Sequence, residues 1–339
     1  MFILSVMLKK VLGFYTKFFA VWVIVFGVVA YLRPGTFIKL EEWMTWFFAS
    51  TIERPLPQFL RLGKGMDWFF ALTMFGIGVV LQVGDFKRIA QRPVIVLIGS
   101  VAQFTLMPLG AFLLAKIFRL PPEITIGLII TGSAPGAMAS NVMSYIAKAD
   151  TAYSVSLTTV STLLCPILTP GLTLLLAKSE LEVPFLNMAL YAFKMIVVPL
   201  FVGFGVRHFL KEKIEKILPI FPAISATFII FICSWVIAVN KEKLAEITGI
   251  ILIVGIILNI YGMLAGYGVG SVFRMNIQRR RTLAIEIGMQ NAGFGMLLAK
   301  NNFGPEAAVP AAIFVFICII TASAMSAIWQ KMPSDPSAE

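Results

Sequence analysis

The sequence predicts an all-α polytopic membrane protein: ten transmembrane helices arranged as two inverted five-helix repeats, with discontinuous crossing helices in the fourth and ninth places. Three observations predict it. The chain is 59% hydrophobic and only 13% charged, with a mean hydropathy of +0.90, whereas soluble domains carry about 25% charged residues. Apolar runs of the roughly 20 residues needed to cross a bilayer recur from end to end. Two of these runs, in corresponding places, contain residues that interrupt helices.

The spans are expected at roughly 16–33, 66–84, 93–117, 124–147, 151–177, 185–209, 216–239, 246–272, 281–301 and 306–330. Their punctuation is legible. Arg33-Pro34-Gly35 stops the first, Asp85-Phe86-Lys87-Arg88 and Gln91-Arg92-Pro93 bracket a tight turn, and Pro121-Pro122 and Gly304-Pro305 start new helices. Gln278-Arg279-Arg280-Arg281 reads as a basic stop before the ninth span. The stretch 36–65 is too long for a hairpin and too charged to span. Within it, residues 38–50 place Trp43 and Trp46 three apart with acids between apolar positions, which suits a helix lying in the membrane interface or an ordinary extramembrane loop. Met1–Lys10 lacks the order of a cleaved signal peptide and reads as a short interfacial lead-in.

The net charge of +11 has a membrane meaning here. Sixteen Lys and Arg fall on the side of the N-terminus, against six in the short loops of the opposite side and five in the long 33–65 loop. That bias puts both termini in the cytoplasm. No basic stripe with interleaved aromatics indicates nucleic-acid binding. Cys165, Cys233 and Cys318 lie in apolar runs without paired spacing, and the one histidine is His208, so disulfides and zinc are not expected. No phosphate-binding loop, nucleophile elbow or metalloprotease motif occurs, so no enzyme and no catalytic residue are expected.

The first interruption is Gly132-Ser133-Ala134-Pro135-Gly136-Ala137-Met138-Ala139-Ser140-Asn141, and the second is Glu286-Ile287-Gly288-Met289-Gln290-Asn291-Ala292-Gly293. Each is fourth in its set of five. An odd repeat unit has to invert, and matching interrupted segments in inverted halves point to a transporter's binding site. Proline deletes a backbone donor and glycine adds freedom. A broken helix exposes carbonyls that suit a cation and amides that suit an anion. Glu286 supplies negative charge at a depth where a carboxylate needs a partner. With Ser140, Asn141 and Gln290 it makes an all-oxygen shell for sodium. In the fifth span Ser154 and Thr158 are four apart and share a helix face, although hydroxyls in membrane helices also serve packing. Gly262, Gly266 and Gly270 form a ladder that means close helix contact, and Lys194 is expected to snorkel toward the interface.

These motifs resemble the bile acid:sodium symporter family in its ten-helix bacterial form. The resemblance covers roughly residues 66–328 and rests on Met74-Phe75-Gly76-Ile77-Gly78 with Gly84-Asp85-Phe86, Gln103-Phe104 with Met107-Pro108, Pro135-Gly136 through Asn141-Val142, the run 154–162 with Pro166, and Glu286–Asn291. It implies a panel domain of spans one, two, six and seven (residues 1–92, with the 36–65 insertion, and 185–239). It also implies a core domain of spans three to five and eight to ten (residues 93–177 and 246–330), followed by a tail at 331–339. Carried over, one sodium site uses Ser140, Asn141, Ser154, Thr158 and Glu286. The second uses Gln103, Gln290, Glu286 and the carbonyls of Ile287 and Met289. Asn291, Met138 and Ala139 face the substrate. Close bacterial relatives often have threonine at the place of Met138, which weighs against a pantoate-like ligand.

The implied activity is sodium-coupled symport of an organic anion, bile-acid-like or a small carboxylate, by alternating access of core against panel. Two sodium ions, the anion and the lipid bilayer are the expected partners of a monomer. A proton-coupled or exchange transporter of the same fold, or a membrane sensor that moves nothing, are the alternatives.

Overall fold

The computed structural model describes residues 19–54, 61–178, 181–210, 212–215, 218 and 220–332. The expected lead-in, the tail from residue 333, and Lys17, Lys211 and Lys216 of the charge reading lie outside the described residues. Helices are the only extended secondary structure among those described. The longer ones, in chain order, are α1 (Phe19–Leu32), α2 (Pro34–Phe48), α3 (Gly65–Val80), α4 (Val83–Gln91), α5 (Pro93–Ile117), α6 (Pro122–Ser133), α7 (Ala139–Ile146), α8 (Thr151–Ala177), α9 (Phe185–Leu210), α10 (Ile220–Val239), α11 (Lys241–Val272), α12 (Ile277–Gly288), α13 (Ala292–Phe303) and α14 (Val309–Gln330).

Among the described residues, five helices are long and apolar enough to cross a membrane: Pro93–Ile117, Thr151–Ala177, Phe185–Leu210, Thr248–Val272 and Glu306–Gln330. Two bent pairs raise the number to seven: α1 with Pro34–Glu53, at 103°, and α3 with α4, at 74°. The chain is therefore a polytopic, all-helical membrane protein. The sequence count of ten differs for a physical reason. Two of the expected spans are split into α6 and α7 and into α12 and α13, of 12, 8, 12 and 12 residues, and a third, expected at 216–239, gives only the shorter apolar helix Ala223–Val239. At 1.5 Å per residue, 12 residues reach only about 18 Å, short of a hydrocarbon core of roughly 30 Å. Neither half crosses alone.

The helices begin where their sequences say. Proline occupies the first turn of α2, α5, α6 and α14, where a missing N–H costs nothing and φ is preset. Asp150, Asn276 and Asn291 cap α8, α12 and α13, each side-chain oxygen accepting the amide of the residue three further on.

The chain divides into two compact units. One runs up to Gln82 and includes Ala192–Leu244. In it, residues 36–53 are helical. Phe37 on α2 meets the Phe231 ring at 6.3 Å, Phe48 stacks on Trp68, and Thr45 Oγ1 accepts the Gly65 amide. Beyond α2, the Glu53 carboxylate gathers the amides of Leu62 and Gly63 and the Trp68 indole N–H at 2.6–2.9 Å, which ties the segment to the start of α3. Trp43 and Trp46 stay exposed on the outer face of α2.

The other unit is Val83–Tyr191 with the chain from Ala245 onward, and it holds both broken helix pairs. Here α11 lies against α12 with backbone nearly touching backbone. A Cβ on Gly266 would stand 2.4 Å from the Leu283 carbonyl oxygen, and one on Gly262 would stand 3.2 Å from that of Ile287. The glycine ladder thus makes the close contact read from its spacing.

Gly266→Val is expected to destabilise the protein by about 1–3 kcal/mol, because a rigid backbone stands where the side chain has to go. Gly268→Val, whose Cβ meets nothing within 4 Å, is expected to be neutral. Thermal unfolding of the two variants side by side in detergent checks this; equal melting temperatures would contradict the packing.

Candidate functional site

The first break follows from Pro135. The residue before a proline is driven out of the helical region, and Ala134 has ψ 155. Helix α6 therefore stops at Ser133, and α7 starts only at Ala139. The second break has no proline. Helix α12 stops at Gly288, Met289 is extended (φ −110, ψ 110), and α13 starts after its cap Asn291.

The two breaks pair with each other. Gly136 and Gln290 form an antiparallel bridge, flanked by Ala137 N–H to Met289 C=O at 3.2 Å and Asn291 N–H to Pro135 C=O at 2.8 Å. Residues far apart in sequence thus satisfy each other's backbone where neither helix can. Buried backbone groups at membrane depth require this.

Side chains converge on this bridge in two clusters. In the first, Glu286, 3% exposed, accepts hydroxyl hydrogen bonds from Ser154 at 3.3 Å and from Thr158. The Oδ1 of Asn141 accepts from the same Ser154 at 2.8 Å and from Thr158 at 3.4 Å. Ser140 lies next in the chain, its hydroxyl on the Ala137 carbonyl at 2.6 Å. Gly136 opens the space: a Cβ there would stand 3.2 Å from Oε1 of Glu286. In the second cluster Gln103 on α5 donates to Oε1 of Gln290 at 2.7 Å, and Gln290 donates to the Ile287 carbonyl at 2.9 Å. Adjacent residues Glu286 and Ile287 join the two clusters along α12.

The electrostatics are unbalanced. Among the described residues no cationic side chain pairs with Glu286. The hydroxyls of Ser140, Ser154 and Thr158 solvate this buried carboxylate only in part, and an unpaired buried charge is strongly destabilising. Oε1 of Gln103 is also buried without a hydrogen-bond partner among the described residues. Surplus acceptors gathered at membrane depth fit an alkali cation held by oxygen atoms.

The three residues expected to face a substrate are the more open ones. Ala139 is exposed, and Met138 and Asn291 are half-buried. The Oδ1 of Asn291 is committed to capping α13 through the Phe294 amide at 3.2 Å, which leaves its NH2 group for other work. The Asn141 NH2 points to the Met138 sulfur at 3.6 Å.

Several residues escaped the sequence reading. Ser144 donates to the Ser154 hydroxyl at 3.3 Å, and Asn259 on α11 donates to the Gly288 carbonyl at 2.8 Å. A lone asparagine in the apolar run 249–260 was a signal for the latter. Arg281, read as part of a basic stop at the membrane face, is 1% exposed and donates to the carbonyls of Ala147 and Trp329 at 3.3 Å. It meets the carbonyl ends of α7 and α14, where a cation complements the helix dipole. Asp150 holds Arg279 at 3.3 Å and Arg92 at 3.7 Å, joining three chain segments near the start of α8.

An all-helical membrane fold with paired breaks around a buried carboxylate defines a class, and sequence comparison names it. A family model described as "Sodium Bile acid symporter family" matches residues 68–247. The chain belongs to this family of transporters, which are not enzymes. Among its relatives, a Bacillus subtilis protein named "Uncharacterized sodium-dependent transporter YocS" is 36% identical over 96% of this chain and 94% of its own length. The Arabidopsis thaliana "Probable sodium/metabolite cotransporter BASS1, chloroplastic" is 30% identical over 92% of this chain and 73% of its own. The mouse "Sodium/bile acid cotransporter 4" is 27% identical over 69% and 55%, respectively.

The Thr158–Glu286 contact is testable by a double-mutant cycle. Thr158→Val removes a donor from a buried carboxylate and is expected to cost about 1–3 kcal/mol. In a Glu286→Gln background the same change is expected to cost less. Additive changes in thermal stability would mean that the two residues are uncoupled.

Proposed function

We propose that this protein is a sodium-coupled secondary symporter of an organic anion. One observation carries the proposal: a buried Glu286 among oxygen donors, without a cationic side-chain partner among the described residues, beside two helix ends that pair with each other. Sodium dependence in the printed names of its relatives supports the same reading.

In this proposal Ser140, Asn141, Ser154, Thr158 and Glu286 hold one sodium ion. Gln103, Gln290, Glu286 and the carbonyls of Ile287 and Met289 hold a second. Asn141, Ser154, Thr158 and Glu286 are already joined by hydrogen bonds, and the second set is linked through Gln103, Gln290 and Ile287. Sodium would take up the surplus negative charge and complete the partly satisfied acceptors. Because the oxygens come from the start of α7, from the end of α12 and the break that follows it, and from α5 and α8, occupancy would stiffen the bridge.

The anion would meet the free NH2 of Asn291 and the chain at Met138 and Ala139, at the amide end of α7. Methionine offers a polarisable apolar contact there rather than a hydroxyl, which fits an anion with an apolar body. Ten spans in two inverted five-helix halves, with α6–α7 and α12–α13 as the corresponding broken helices, are the arrangement this mechanism requires. The unit containing the breaks would be the moving core and the other the panel in an alternating-access cycle. The Lys and Arg bias supports both termini lying in the cytoplasm of a bacterial cell.

Purified protein reconstituted in vesicles is expected to take up an organic anion in a sodium gradient and not in an equal potassium gradient. Glu286→Ala is expected to reduce the sodium-driven rate by at least about tenfold. Uptake that follows a pH gradient and ignores sodium would replace this reading with proton coupling. Sodium-dependent ligand binding without uptake would make the protein a sensor.

A further inference from the structure

We propose that Asn259 is a positioning residue of the sodium machinery, acting at the second break as Gln103 acts at the first. The inference rests on the sodium reading above and adds a residue that it does not use.

The two amides stand in matching relations to the bridge. Gly136 pairs with Gln290. Two residues before Gly136 is Ala134, whose carbonyl accepts the Gln103 amide at 3.4 Å. Two residues before Gln290 is Gly288, whose carbonyl accepts the Asn259 amide at 2.8 Å. Each is the carbonyl at which its helix half gives out, and it has no amide one turn ahead to receive it. Each side chain is buried, Asn259 completely, and each leaves its own carbonyl oxygen without a hydrogen-bond partner among the described residues. In the two proposed halves, α5 and α11 are the helices that precede the breaks. The two amides therefore sit at equivalent places.

The consequence at the second break is specific. Holding the Gly288 carbonyl fixes the peptide planes on either side of it, and those planes carry the Ile287 and Met289 carbonyls. These are backbone ligands of the proposed second sodium site, and backbone ligands have no rotamer with which to adjust. The approach of α11 is built in: Gly262 brings its backbone against Ile287 and Gly288, and Gly288 in turn admits the Met263 side chain. Partners outside the ligand shell typically change metal affinity 10–100-fold when removed.

Full-length wild type, Asn259→Leu and Asn259→Gln, purified in detergent, distinguish this role from packing. The measurement is thermal stabilisation against sodium concentration, with potassium holding the ionic strength constant and no organic substrate present. Asn259→Leu, similar in volume but without the donor, is expected to raise the half-saturating sodium concentration about tenfold or more. Its melting temperature in potassium is expected to fall, because the buried Gly288 carbonyl loses its donor, so the half-saturating sodium concentration and not the baseline is the readout. Asn259→Gln, which keeps the amide, is expected to lie between the two. Wild-type half-saturation in Asn259→Leu overturns the proposal, as does a loss of stability in potassium with the sodium response unchanged. If Asn259→Leu does not fold, Asn259→Ala is judged by the same criteria. Wild type that gains nothing from sodium overturns the sodium reading itself, before any variant is compared.

Discussion

Two helices that stop inside an apolar medium leave carbonyls and amides that must find partners within the protein, and here they find each other. The short antiparallel contact between Gly136 and Gln290 closes both breaks at once. Everything around it depends on that closure. Backbone unpaired in hydrocarbon costs several kcal/mol per group, so the breaks persist only because they meet. Their meeting in turn brings Asn141 from one side and Glu286 from the other to the same hydroxyls of α8.

The surroundings favour a rigid frame for this contact. Glycines let α11 reach the backbone of α12. Arg281 bonds to carbonyls at the ends of α7 and α14, so the helix that carries Glu286 also holds the far end of the helix that carries Asn141. Asp150 caps α8 and pairs with Arg279 and Arg92. A buried guanidinium is costly unless its hydrogens are engaged, and Arg281 is engaged where two helix dipoles end. The surplus acceptors near Glu286 stand out against this satisfied background. A polar cluster that is rigid but short of positive charge suits reversible cation binding better than permanent structure.

Much of the fold was legible in the chain. Proline and glycine starts and stops, the Ser154–Thr158 spacing and the glycine ladder all act through neighbours close in sequence. The first break was legible for the same reason, since Pro135 dictates the conformation of Ala134. The second was harder to place. Nothing local forces α12 to stop at Gly288; the helix ends there with its carbonyl held by Asn259, 29 residues away, and the next helix capped by Asn291. Arg281 was misread for a related reason: beside Arg279 and Arg280 it looks like a surface charge, and only packing shows that it is enclosed.

Sequence alone determined that this chain lives in a membrane, where most of its helices begin, and which polar residues lie at a depth that demands partners. It did so because hydrophobicity, proline geometry and helical spacing are local properties. Tertiary structure decided which breaks pair, which hydroxyls reach Glu286 and which amides hold the exposed carbonyls. The first two relations join residues more than 100 positions apart and the third residues 29 and 31 apart, and a medium without water leaves them to the fold.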